Sequence, residues 1–207
     1  EDVLFYDNPT TVIDSAKWTI TGDVSTDGTA IVVGDATNDY DGVNSVNTIA
    51  FPDSGQTLIV EFRGVLPFTT MGYVGFGLGA VVFASRWEDT SKTHVSVSGA
   101  DGSTVALDAN YADGAYRTYR IEITPSQARF YVDGVPKATL SHNLTGTANL
   151  RGRSYDANQL LKIDWVKVYY QHALSGSRVS PVLDLSPVGI AAGSSISWTA
   201  TTPAGTS

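Results

Sequence analysis

Residues 115–140, AYRTYRIEITPSQARFYVDGVPKATL, leave this chain little choice but to build antiparallel sheet. Tyr119, Ile121 and Ile123 alternate with Arg120, Glu122 and Thr124, the two-residue period of a strand with one buried face. Phe130 and Val132 carry the apolar face onward beyond a turn at Thr124, Pro125, Ser126 and Gln127. Asp133-Gly134 then supplies the positive φ angles of a tight hairpin ahead of Val135.

The rest of the chain reads in the same way. Short strands are expected at residues 3–6, 17–21 around Trp18, 30–33 and 46–51, the last two separated by the polar loop GDATNDYDG. Leu58, Val60 and Phe62 alternate with Ile59, Glu61 and Arg63 in a strand expected to lie centrally in a sheet. MGYVGFGLGAVVFAS (71–85) reads as one glycine-spaced stretch, with small residues where a strand bends or other side chains approach its backbone. Further strands are expected at 93–97, 103–107 and 149–151, and LLKIDWVKVYY (160–170) is apolar on both faces, as for a strand buried on both sides. No helix of ordinary length is evident, so the fold class is all-β. After Tyr170 the chain turns polar and proline-bearing. The expected division is one domain over residues 1–174, then a connector with an edge strand or the start of a truncated module over 175–207.

Composition narrows the partners. A formal net charge of −8 with 16% charged residues offers no basic stripe for a phosphate backbone, which argues against nucleic acid. No cysteine is present, so disulfides and thiolate metal sites are excluded. No apolar run approaches the roughly 20 residues of a membrane-spanning helix. The start at Glu1, without an apolar leader, fits a processed secreted chain or a piece of a longer polypeptide, and an extracellular setting is expected.

RIEITPSQARFYVDGVPKATL followed by LLKIDWVKVYY resembles the concanavalin A-like lectin/glucanase jelly roll, close to its laminin G-like and glucanase branches. The resemblance implies a β-sandwich of two antiparallel sheets, one of them concave, with a groove that in many members binds glycans. The glucanase branch sets two glutamates on one strand, as E-x-D-x-E or E-x-D-x-x-E, to bring two carboxyl groups about 5 Å apart for retaining hydrolysis. The four glutamates here, Glu1, Glu61, Glu88 and Glu122, are nowhere so spaced. His94, His142 and His172 lie in unrelated segments with no nucleophile elbow. Polysaccharide lyases of this fold use Tyr, His and Arg or Gln, and His94 with Tyr73, Tyr111 or Tyr119 is the available set.

The binding candidates are loop and groove residues. Trp87, in Arg86-Trp87-Glu88-Asp89, either stacks on a pyranose, with Arg86 bonding hydroxyls, or folds back over the core. Trp18 and Trp165 are expected in the core, and Trp198 over an edge. Arg151, Arg153 and Tyr155, in LRGRSYDAN, make a polar and aromatic loop that either holds an acidic sugar or is simply solvated. Tyr73 and Phe76 are expected to face the groove. The segment from Gly34 to Asn44 offers Asp35, Asn38, Asp39 and Asp41 as oxygen donors for structural calcium, or as an Asx-rich turn. Asp164, an acid inside an apolar strand, reads as a hydrogen-bonded carboxylate that fixes register.

These features point to a non-catalytic carbohydrate-binding module linked to further domains of an extracellular protein, with a polysaccharide or surface glycan as partner. The alternatives are a structural or adhesion module of a bacterial surface protein or phage tail fibre, and a polysaccharide lyase or other glycan-active enzyme.

Overall fold

The computed structural model describes residues 2–9, 11–34, 40–67, 73–86, 92–97, 103–155 and 159–172. These residues form strands and turns, with no helix among them. In chain order the strands are β1 (Asp2–Asp7), β2 (Trp18–Thr21), β3 (Val24–Thr26), β4 (Ile31–Val33), β5 (Asp41–Ser45), β6 (Ile49–Ala50), β7 (Gln56–Val65), β8 (Tyr73–Leu78) and β9 (Val81–Arg86). They continue with β10 (Thr93–Val97), β11 (Ser103–Ala106), β12 (Arg117–Ile123), β13 (Gln127–Val132), β14 (Val135–Ser141), β15 (Thr147–Ala148), β16 (Leu150–Ser154) and β17 (Leu161–His172). All belong to a compact unit spanning Glu1–His172.

Two antiparallel sheets make a sandwich. An eight-stranded sheet runs β14-β13-β12-β7-β17-β4-β3, with β1 also paired to β17, and a seven-stranded sheet runs β11-β10-β9-β8-β16-β5-β2. The short pair β15-β6 stands apart. Strand β7 is central, as its alternation predicts, with β12 on one side and β17 on the other. The β12-β13-β14 hairpins follow the expected pattern: Tyr119, Ile121, Ile123, Phe130 and Val132 are buried, and Asp133 and Gly134 take φ of 50° and 77°. Arg120 and Glu122 pair with each other at 2.8 Å on the outer face.

Interleaved aromatics fill the space between the sheets. Phe62 of β7 stacks on Tyr119 of β12 at 4.9 Å, and both meet rings from the other sheet: Phe62 lies 4.6 Å from Phe76, and Phe83 lies 5.0 Å from Tyr119. Phe83 also meets Phe130 edge-on at 5.3 Å. These rings are fully buried, and such pairs add about 0.5–1.5 kcal/mol each to the area they bury. At the opposite margin Trp18 of β2 donates its Nε1–H to Asp7 of β1 at 2.6 Å, tying one sheet to the other.

Several expectations need correction. From Tyr73 on, the glycine-spaced stretch is two strands, β8 and β9, folded about Gly79 at φ 56°. The strand expected at 46–51 gives way to β5, which starts inside the polar loop, with only β6 beyond it. The inward positions of β5 are Asp41, Val43 and Ser45, so its buried face is disguised as polar. Both polar side chains are satisfied: Asp41 Oδ1 accepts the Asp23 N–H at 2.6 Å, and Ser45 Oγ accepts the Leu150 N–H at 3.0 Å. Closing strand β17 alternates instead of being buried on both sides. A β-bulge between Ile163 and Trp165 makes Asp164 the extra residue, so Leu161 and Ile163 point inward before it and Val166 and Val168 after it. Trp165 thereby falls on the outer face, half-buried rather than in the core. Asp164 pairs with Arg63 of β7, beside the irregularity.

Candidate functional site

The outer face of the seven-stranded sheet follows from its register. Val43, Val74, Phe76, Leu78, Val81, Phe83, Val95, Val97 and Leu150 point into the core, which turns the alternate residues outward. Across the strands one outward row reads Thr104, Ser96, Val82, Gly77, Arg151, Asn44 and Thr19. The next reads Ala106, His94, Ala84, Gly75, Arg153, Gly42 and Thr21. Above it, Arg86 pairs with Tyr73, whose carbonyl accepts the Tyr155 N–H at 3.0 Å.

Small residues beside large ones shape this face into a groove. Arg153 stands between Gly75 and Gly42, and each glycine is roofed by a tyrosine. A Cβ on Gly75 would come within 2.7 Å of Tyr73 Oη and 2.6 Å of the Phe83 carbonyl, and one on Gly42 within 3.2 Å of Tyr40 Oη. The resulting depression holds about 290 Å³ and is lined by Tyr73, Gly75, Ala80, Val82, Arg86, Ser96, Thr104, Arg151, Arg153 and Tyr155. A neighbouring depression of about 360 Å³, lined by Arg86, His94, Thr104 and Ala106, extends it across β10 and β11.

The described lining of the groove carries positive charge on an acidic chain. Arg153 lies over the Tyr40 ring, 5.3 Å from its centroid, and Tyr40 in turn packs on Tyr155 at 4.9 Å. Arg86 Nη1 donates to Thr104 Oγ1 at 3.4 Å. Burial, and then the like charge of Arg153, lowers the pKa of Arg151. Burial pushes the Tyr73 phenol up to about 12, although Arg151, Arg153 and Arg86 oppose the shift. Among the described residues the lining contains no carboxylate.

Tyr73, Arg86, Arg151, Arg153 and Tyr155, proposed from three separate segments, therefore share one depression. The arginines reach it differently than expected: LRGRS is not a loop but β16, inserted between β8 and β5. Phe76 does not face the groove, because the parity of β8 sends it into the core. His94 lines the groove's extension, whereas Tyr119 is buried against Phe62 and donates its hydroxyl to the Tyr111 carbonyl at 3.3 Å. Tyr111 packs among Asp108, Arg117 and Lys137. Trp87, Asp35, Asn38, Asp39 and Trp198 lie outside the described residues. Asp41 is buried in β5. Tyr40, Ser96 and Thr104 escaped sequence reading. Only the Gly75-x-Gly77 spacing hinted at a close approach to this face.

No protein-family model and no curated protein sequence matches the chain. Solved structures do resemble it. The laminarinase catalytic domain from Thermotoga maritima MSB8 superimposes with a TM-score of 0.64 at 14% identity, covering 84% of this chain and 100% of that one. The endo-β-1,3-glucanase from Pyrococcus furiosus gives 0.64 at 12% identity, with 83% and 94% covered, and the Crh5 transglycosylase gives 0.60 at 15%, with 79% and 82% covered. At such identities the likeness speaks for the fold: the chain is a concanavalin A-like jelly-roll sandwich, the architecture of these glucan-active proteins.

Proposed function

We propose that this chain is a carbohydrate-binding module of a larger extracellular protein, holding a polysaccharide or surface glycan along the outer face of the seven-stranded sheet. One observation carries the reading: the groove combines tyrosines with arginine donors, and among the described residues no carboxylate lines it. Tyrosine faces stack on the apolar side of pyranose rings, guanidinium groups bond hydroxyls, and a hydrolytic pair of acids has no place among these residues. The glucan-active proteins that share the fold lend support.

A second reading rests on a different observation. Tyr73, Arg86 and His94 border the same continuous groove, and these are side-chain types with which a β-eliminating enzyme works. Binding to a panel of soluble polysaccharides by calorimetry, together with ultraviolet detection of unsaturated ends, tests both. The binding module predicts saturable binding, no product, and about a tenfold loss in Tyr155→Ala. Unsaturated product establishes the lyase. Absence of binding to every glycan refutes both and leaves a structural or adhesion module.

A further inference from the structure

Resting on the carbohydrate-binding reading, we propose that the glycan held in this groove carries an oxyanion substituent, a carboxylate or a sulfate ester, and that Arg151 and Arg153 are its seat. Strand β16 sets these two side chains two residues apart on one face, so like charges stand side by side in a depression walled by other residues. No described carboxylate pairs with either. Arg153 lies over the Tyr40 ring, and its buried Nε has no hydrogen-bond partner among the described residues. Two partly desolvated guanidinium groups without a counter-charge among the described residues are costly, and a bound anion removes that cost.

The surroundings suit an anion that arrives on a sugar. Glycines at 42 and 75 flank Arg153 in register and Gly77 lies beside Arg151, so the paired strands carry no charged side chain at these three positions. Planar guanidinium forks match the oxygen geometry of carboxylate and sulfate. Tyr73 and Tyr155 line the same depression as the pair and supply aromatic surface beside the sugar that bears the charge. The chain as a whole carries −8, which repels polyanions at a distance, so selectivity for an anion has to come from contact within the groove.

The test compares alginate with the same polymer after carboxyl reduction, and dextran sulfate with unsulfated dextran, by calorimetry at physiological salt. At least one charged polymer is expected to bind tenfold or more tightly than its neutral counterpart, and the pair showing the preference identifies carboxylate or sulfate. Arg151→Gln and Arg153→Gln are each expected to reduce that preference by about tenfold to a hundredfold, the range of a charge-assisted hydrogen bond. Arg151→Lys and Arg153→Lys retain part of it, and Arg120→Gln, on the other sheet, leaves it unchanged. Circular dichroism and thermal melting confirm that each variant is folded, and the lysine variants stand in if a glutamine variant is not. Equal binding of charged and neutral polymers overturns the oxyanion inference while leaving carbohydrate binding in place. Failure to bind any polysaccharide defeats both.

Discussion

The contact between Asp7 and Trp18 joins the two sheets at their margin, and its strength can be measured. Asp7, 5% exposed, receives the Trp18 Nε1–H at 2.6 Å on one oxygen and the Lys17 ammonium at 2.8 Å on the other. Trp18, 2% exposed, also packs edge-on against Phe5 at 5.1 Å. Trp18→Phe keeps an aromatic ring but removes the donor to a buried carboxylate, which costs about 1.5–3 kcal/mol for a hydrogen bond to a charged group. The lost part of the indole adds about 1–2 kcal/mol of apolar burial. A double-mutant cycle of Trp18→Phe and Asp7→Ala separates these terms, because the apolar loss and the release of Lys17 cancel from the coupling. Urea denaturation followed by far-ultraviolet circular dichroism should give a coupling of about 1.5–3 kcal/mol with unchanged m values. Lys17 is 38% exposed at its side chain, so Lys17→Ala should cost under about 1 kcal/mol. A coupling below about 0.5 kcal/mol would refute the claim that this hydrogen bond holds the margin together.

Three further outcomes follow from the site and its surroundings. Gly75→Ala places a methyl group 2.6 Å from the Phe83 carbonyl and 2.7 Å from Tyr73 Oη; it should destabilise the fold by about 1–3 kcal/mol and weaken glycan binding, and wild-type values for both would show that the Tyr73 ring is free to move. Burial raises the phenol pKa of Tyr73 from 10.0 to about 12, and burial raises that of Tyr119 too, so the unfolded chain ionises first. The stability these tyrosines contribute is fully present below pH 10 and lost as pH rises toward about 12; urea midpoints that stay level across this window, or that fall as steeply in Tyr73→Phe, count against the assignment. Calcium bound by the segment containing Asp35, Asn38, Asp39 and Asp41 predicts a melting temperature that falls on chelation, whereas an unchanged value leaves the Asp23 N–H as the partner of the Asp41 carboxylate.

The parts of the fold legible from sequence were those where burial and polarity alternate without interference. In β12 and β13, Tyr119, Ile121, Ile123, Ala128, Phe130 and Val132 are all apolar, buried and inward, and the Asp133-Gly134 turn declares itself. In β16 the inward residues after Leu150 are Gly152 and Ser154, which read as loop. A Cβ on Gly152 would come within 2.9 Å of Leu161 and 3.1 Å of Phe76: large side chains from the surrounding strands already fill the space that an apolar residue would take. Ser154 spends its hydroxyl on the Gln159 carbonyl at 3.1 Å. The candidate site was legible residue by residue but not as an assembly. Tyr73 and Arg86 face each other across the local β8-β9 hairpin, but Arg151 and Arg153 join them only because β16 inserts between β8 and β5, a long-range pairing that no local pattern encodes.

The bulge at Asp164 gives β17 a single place where the chain can change length without changing faces. Leu161 and Ile163 point inward before it and Val166 and Val168 after it, so removing Asp164 alone would join two stretches already in phase. Loss or gain of one residue anywhere from Val166 to Val168 would instead turn part of the strand over, sending Lys167 or its neighbours toward the aromatic core. Natural insertions and deletions in relatives of this chain should therefore gather at Asp164, opposite Gly64, where an added Cβ would collide with the Lys162 carbonyl.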